Sequence, residues 1–153
     1  MDMPRPTPDH LALERLAGEW IGEEKLHPSP WDPVGGTAAA RVTNRMILDG
    51  FALAQDYAQE RGGGVTYRGH GVLRFDPASG GYVVWWIDSV GTPPGEFRGS
   101  LAGDTLALTQ QGAMGHARAT WKIAADRYDY RMDVSPDGAV WHPFLEGTYR
   151  RQG

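Results

Sequence analysis

From about residue 19 onward, turn signals fall roughly every ten residues, and between them apolar side chains recur with a period of two. The marks are Val34-Gly35-Gly36, Asp49-Gly50, Gly62-Gly63-Gly64, Asp76-Pro77, Gly80-Gly81, Pro93-Pro94-Gly95, Gly103-Asp104, Gly112, Ala125-Asp126 and Pro136-Asp137-Gly138. About ten short strands fit between them. Tight connections join antiparallel neighbours, and a meander with one apolar face removes its exposed edges by closing on itself. The expectation is an all-β fold: an antiparallel up-and-down β-barrel formed as one domain over residues 1–153, with strands from about 19 to 150. A two-sheet sandwich is the alternative.

Ahead of the strands, Thr7-Pro8-Asp9 combines a capping hydroxyl, a proline suited to the first helical position and an acid at the positive helix end. Leu13, Leu16 and Ala17 follow at helical spacing, so a short N-terminal helix is predicted over about 8–17, stopped by Gly18. In Leu16-Ala17-Gly18-Glu19-Trp20-Ile21-Gly22-Glu23, Gly18 supplies the backbone conformation that ends the helix, and Trp20 plugs the barrel floor. Gly22 is expected to let another backbone pass closely.

Alternation assigns the faces. Tyr128, Tyr130, Met132 and Val134 point inward, opposite Arg127, Asp129, Arg131 and Asp133. Ala117, Ala119, Trp121 and Ile123 are inward, as are Tyr67, Gly69, Gly71, Leu73 and Phe75. Small inward residues such as Ala38, Ala40, Gly69, Gly71 and Gly147 leave space for a ligand unless aromatic rings fill it. Three polar side chains also point inward: Asn44, Gln55 and Asp88. With Trp86, Trp121, Tyr128, Tyr130 and Tyr149 they form the candidate ligand-binding set, a few polar groups orienting an otherwise apolar molecule. The alternative for each is internal: an amide bonded to a neighbouring strand, or Asp88 capping a turn at the rim. Trp85 and Trp86 are adjacent, so one must face outward and find cover from the 91–95 loop, the N-terminal helix or a second copy in a homodimer.

Composition excludes several classes. A net charge of −4 offers no basic surface for nucleic acid. The chain has no cysteine, which removes disulfides, thiolate nucleophiles and thiolate metal sites, and a cytoplasmic location is expected. No segment reaches the roughly 18 apolar residues of a membrane helix, so no membrane partner is expected. The five histidines, at 10, 27, 70, 116 and 142, lack any spacing that would present two imidazoles together, and no metal is assigned. His10 reads as a first-turn helix residue, and His70 and His116 as surface residues. No nucleophile elbow surrounds Ser89, and Gly62-Gly63-Gly64 precedes a strand, not a phosphate-binding helix.

Four segments carry a resemblance: Leu16 to Glu23, Asp49-Gly50-Phe51, Tyr82-Val83-Val84-Trp85-Trp86-Ile87-Asp88-Ser89, and Leu145-Glu146-Gly147-Thr148-Tyr149-Arg150. Their order and spacing resemble the uncharacterised bacterial family called domain of unknown function 1579. That resemblance implies a calycin-type barrel related to lipocalins and fatty-acid-binding proteins, and no activity. Gly18-Glu19-Trp20-Ile21-Gly22 is also distantly similar to the opening of the haem-binding nitrobindins, which implies haem as an alternative cofactor, with His142 as its ligand. The apolar register Trp141, Pro143, Leu145, Gly147, Tyr149 sets His142 on the opposite face unless Pro143 marks a bulge.

The functional expectation is a barrel that holds a small apolar or aromatic ligand, with no cofactor. The alternatives are an enzyme using Asp88, with its carboxyl pKa raised by enclosure, as general acid or base; a haem-binding barrel; and an interaction protein whose interior is filled.

Overall fold

The computed structural model, described over residues 2–112 and 115–153, is the predicted barrel. Its strands are β1 (Gly18–Leu26), β2 (Gly36–Ile47), β3 (Ala52–Arg61), β4 (Gly64–Asp76), β5 (Gly81–Asp88), β6 (Gly95–Ala102), β7 (Thr105–Gly112), β8 (Gly115–Ile123), β9 (Arg127–Ser135) and β10 (His142–Arg151). Each pairs antiparallel with its sequence neighbours, and β1 closes the ring on β10.

The helix predicted over 8–17 begins where expected, but only α1 (Pro8–Leu11) is α-helical, and Ala12–Leu16 winds as a 3-10 helix. In the tighter winding, side chains at i and i+3 eclipse, which turns Leu13 and Leu16 together into the barrel's end. The Trp20 indole N–H donates to the Leu16 carbonyl at 3.0 Å, and Gly18 makes the turn into β1 at φ +128°. Arg151 seals this end from outside: its guanidinium lies 4.3 Å from the Trp20 ring and donates to the carbonyls of Arg15, Ala17 and Ala125. His10 stands in the first turn of α1, as read from the sequence, and is buried there. It is 4% exposed, edge-on to Phe51 and Phe75, and its Nδ1 accepts the Thr7 N–H at 3.0 Å, the role an acid or amide usually fills in a capping box.

The meander gives the barrel two unlike ends. The N-terminal helices, the 48–50 turn and the hairpins at 77–80, 103–104 and 124–126 lie at one; the connections 27–35, 62–63, 89–94 and 136–141 lie at the other. The core sits toward the first, where Leu16, Trp20, Val42, Leu53, Leu73, Leu106 and Leu108 are fully buried.

Two expectations about glycine change. The closest neighbour above Gly22 is a side chain: the Tyr149 ring occupies the space over Gly22 and Gly147, stacked on Tyr128 with centroids 4.7 Å apart. Gly69 and Gly71 accommodate the Trp86 ring in the same way. These glycines make room for aromatic rings of the chain itself. β10 does bulge between Pro143 and Leu145, which sets His142 beside Val134 on the lumen side, at the rim. Asp133, an outward residue, is nevertheless buried, because Arg118 and Arg131 close over it at 3.2 and 3.0 Å.

Candidate functional site

Trp20, Gly22, Glu24 and Leu26 share the inward face of β1, so alternation delivers a carboxylate to the barrel interior. Glu24 is 3% exposed. Burying an ionised carboxylate is expensive unless donors surround it, and three side chains do so here. The Tyr57 hydroxyl donates across both carboxylate oxygens at 2.8 and 2.7 Å, Gln59 Nε2 donates at 3.0 Å, and the Tyr149 hydroxyl donates from β10. Gln59 also donates to the Tyr57 oxygen at 3.0 Å, which orients that hydroxyl toward Glu24. No Lys, Arg or His among the described residues pairs with Glu24.

The phenols respond to this environment. Burial first, and then the Glu24 charge, push Tyr57, Tyr128, Tyr130 and Tyr149 well above the ordinary tyrosine range, so all four remain donors.

From Tyr57 an aromatic wall runs toward the open end. Its ring meets Tyr67 at 5.9 Å and Trp86 at 6.2 Å, both edge-on. The Trp86 indole N–H donates to the Tyr67 oxygen at 3.0 Å, and the Tyr67 hydroxyl donates to Asp88 Oδ2 at 3.1 Å. Burial pushes Tyr67 up to about 12. Asp88 itself caps the β5–β6 connection, accepting from the Val90 and Thr92 backbone N–H groups at 3.3 and 3.2 Å and from the Thr92 hydroxyl. Burial pulls its carboxyl upward, but these bonds and the one from Tyr67 outweigh burial and hold it below the ordinary carboxylate range. The raised pKa required of a general acid at Asp88 is therefore corrected to a lowered one.

The other candidates separate into two groups. Trp86, Asp88 and Tyr130 belong with the buried Glu24 and with Tyr57 and Tyr67 in the open half, where these inward side chains other than Glu24 are part-exposed. Trp121, Tyr128 and Tyr149 belong to the packed core, with Trp121 against Tyr130 at 4.9 Å. Asn44 is 4% exposed and donates to the Leu16 carbonyl at 2.9 Å, tying β2 to the N-terminal plug, while its Oδ1 has no partner. Gln55 lies beside it across the β2–β3 ladder, part-buried. Trp85 faces outward, 42% exposed, with its N–H spent on Glu96 at 3.1 Å.

Glu24, Tyr57, Tyr67 and Gln59 were absent from the candidate set. The signal for Glu24 was present in the Trp20-x-Gly22-x-Glu24 alternation, in which an acid continues an inward face.

Two depressions mark the surface. One of about 1180 Å³ spreads over β1, β2, β3, β8, β9 and β10; outward side chains such as Lys25, Lys122, Arg127 and Arg131 line much of it, and it also reaches Glu24 and Tyr130 on the inward face. The other, about 380 Å³, sits at the closed end beside Arg15, Asp104 and Arg151. Among the described residues no three His, Asp or Glu side chains are grouped to hold a metal ion, and no helix is long and apolar enough to cross a membrane.

A closed ten-stranded antiparallel barrel, plugged by an N-terminal helix and carrying a buried carboxylate on its inward face, defines the structural class. The family model described as Protein of unknown function (DUF1579) matches residues 5–151, and the chain belongs to that family. No curated protein matches the sequence. Among solved structures, the crystal structure of Rv2717c from M. tuberculosis is similar with a TM-score of 0.73 and 17% identity, covering 96% of this chain and 99% of that one. The S-type phycobiliprotein lyase CPES from Guillardia theta is similar with a TM-score of 0.62 and 12% identity, covering 97% and 99%. At these identities the likeness is one of fold.

Proposed function

We propose that this barrel binds a small apolar or aromatic molecule in its lumen, admitted from the end opposite the N-terminal helix. The observation that carries the reading is the burial gradient along the inward face. Leu53, Leu73, Leu106 and Leu108 toward the plugged end are fully buried, whereas Tyr57, Tyr67, Trp86, Phe97 and Tyr130 toward the other end are not. Inward side chains that still meet solvent line a space open to solvent, and an aromatic wall with a few polar groups is how small-molecule sites are built. A structure described as a phycobiliprotein lyase shares the fold, which is consistent with a barrel that receives a small ligand. The absence of cysteine fits a cytoplasmic setting.

The test is native mass spectrometry of the protein purified from its own host. An added mass that survives gentle ionisation and disappears on denaturation supports the reading and gives the ligand's class. A clean apo mass, with no change in tryptophan emission across a panel of apolar aromatics, would refute it.

The β10 bulge places His142 at the rim on the lumen side, which makes the haem alternative testable. The residues around it do not suit the group. Haem's propionates would share a lumen with Glu24 and Asp88, and Arg61, a rim cation, is spent on Asp32 at 2.7 Å and the Gly35 carbonyl at 2.9 Å. Hemin is expected to give no Soret shift that His142→Ala abolishes; such a shift would establish the haem reading instead.

A further inference from the structure

We propose that the lumen selects an organic cation, an apolar or aromatic body carrying a protonated amine or a quaternary nitrogen, held against Glu24 and the Tyr57–Tyr67–Trp86 wall. This rests on the ligand-binding reading above and adds the sign of the ligand's charge.

Two observations converge. The first is electrostatic. Along the inward faces of the open half the charged side chains are Glu24, Asp88 and Arg61, and Arg61 is neutralised by its ion pair with Asp32. Arg151, the inward-register cation at the other end, is spent on carbonyls and on the Trp20 ring outside the plug. The lumen is therefore left with an acid surplus. A carboxylate buried without a counter-ion raises the local affinity for a cation, because the low-dielectric wall screens it poorly.

The second is chemical. An ionised carboxylate offers about four acceptor positions. Tyr57, which bridges both oxygens, Gln59 and Tyr149 make four contacts to Glu24; these neutral donors orient the group and leave its negative charge without a counter-ion. A quaternary nitrogen needs no hydrogen bond, and tyrosine and tryptophan rings are the side chains that attract one through their faces.

The experiment is an isothermal titration of the intact protein with three probes of one shape: benzyltrimethylammonium, its neutral carbon isostere neopentylbenzene, and phenylmethanesulfonate. The expected order is cation, then neutral, then anion, with the cation about tenfold tighter than its isostere. In Glu24→Gln the cation's advantage should vanish while the neutral probe binds as before. Because the wild-type ranking needs no variant, a Glu24→Gln chain that fails to fold leaves the test intact. A neutral or anionic probe that binds as tightly as the cation overturns the cation proposal and leaves the ligand-binding reading standing. Failure of all three to bind, with a clean apo mass from the host, overturns both.

Discussion

The two ends of this barrel are built from the same strands and differ in how glycine and aromatic residues are combined. Toward the plug, Gly22 and Gly147 carry the Tyr149 ring, which stacks on Tyr128, which in turn meets Trp20 edge-on at 4.8 Å, and every ring in the series is buried. Toward the mouth, Gly69 and Gly71 carry Trp86, whose neighbours Tyr57 and Tyr67 are only part-buried. The same device makes a close-packed core where a third layer covers it and a receptive wall where nothing does. Packing density, more than residue type, separates the structural half from the candidate binding half.

The difference can be broken most directly at the two tryptophans. Trp20→Ala should destabilise the fold by about 3–5 kcal/mol, the cost of a large cavity in a core that cannot collapse, whereas Trp86→Ala should cost under about half of that. Urea midpoints decide it, and equal losses would erase the distinction between the ends. Replacing the glycines sharpens it further. A methyl at Gly22 collides with the immobile Tyr149 ring and should cost about 1–3 kcal/mol; Gly69→Ala should instead swing Trp86 toward solvent, seen as a red shift of its emission with a smaller loss of stability. An unshifted spectrum with a large loss would show that Trp86 is as fixed as Tyr149.

Removing one donor from the carboxylate probes the junction between the halves. Tyr149→Phe should lower stability by about 1–3 kcal/mol, since it takes a bond from a buried charge. A neutral effect in thermal melts would mean that Glu24 is satisfied without it.

The smallest effect is one of pH. The tyrosines titrate in the fold above their unfolded value of about 10, so above that pH the unfolded chain has lost protons that the folded one keeps. Stability is therefore complete below about 10 and declines as pH rises beyond it. Tyr67, at the mouth, should ionise near 12 in the fold, with Tyr128 and Tyr149 silent until unfolding. Absorbance at about 295 nm followed alongside circular dichroism checks the order. Tyrosine ionisation that precedes any loss of structure at Tyr128 or Tyr149 would contradict it.

Period-two alternation made the barrel, its strand number and most inward residues legible in the sequence, because a pleated strand with one buried face leaves a local trace. Gly18 and Trp20 were readable for the same local reasons. The partners were not. That Gly22 meets a ring from β10, that Asp88 is bonded by Thr92 and Tyr67, and that Glu24 gathers donors from β3 and β10 are facts of register between strands distant in sequence. His142 changed face because a single bulge at Pro143 to Leu145 reverses all alternation beyond it.

By itself, then, the sequence determined an antiparallel barrel with a plugged end and an aromatic interior, since turn chemistry and alternation act over a few residues at a time. Tertiary structure alone decided which end is packed and which is open, and that the buried inward carboxylate of Glu24 is solvated by two tyrosines and a glutamine instead of a cation. Closing the ring brings β1, β3 and β10 together, and only then does an acid on an alternating face acquire an environment, and with it a chemistry.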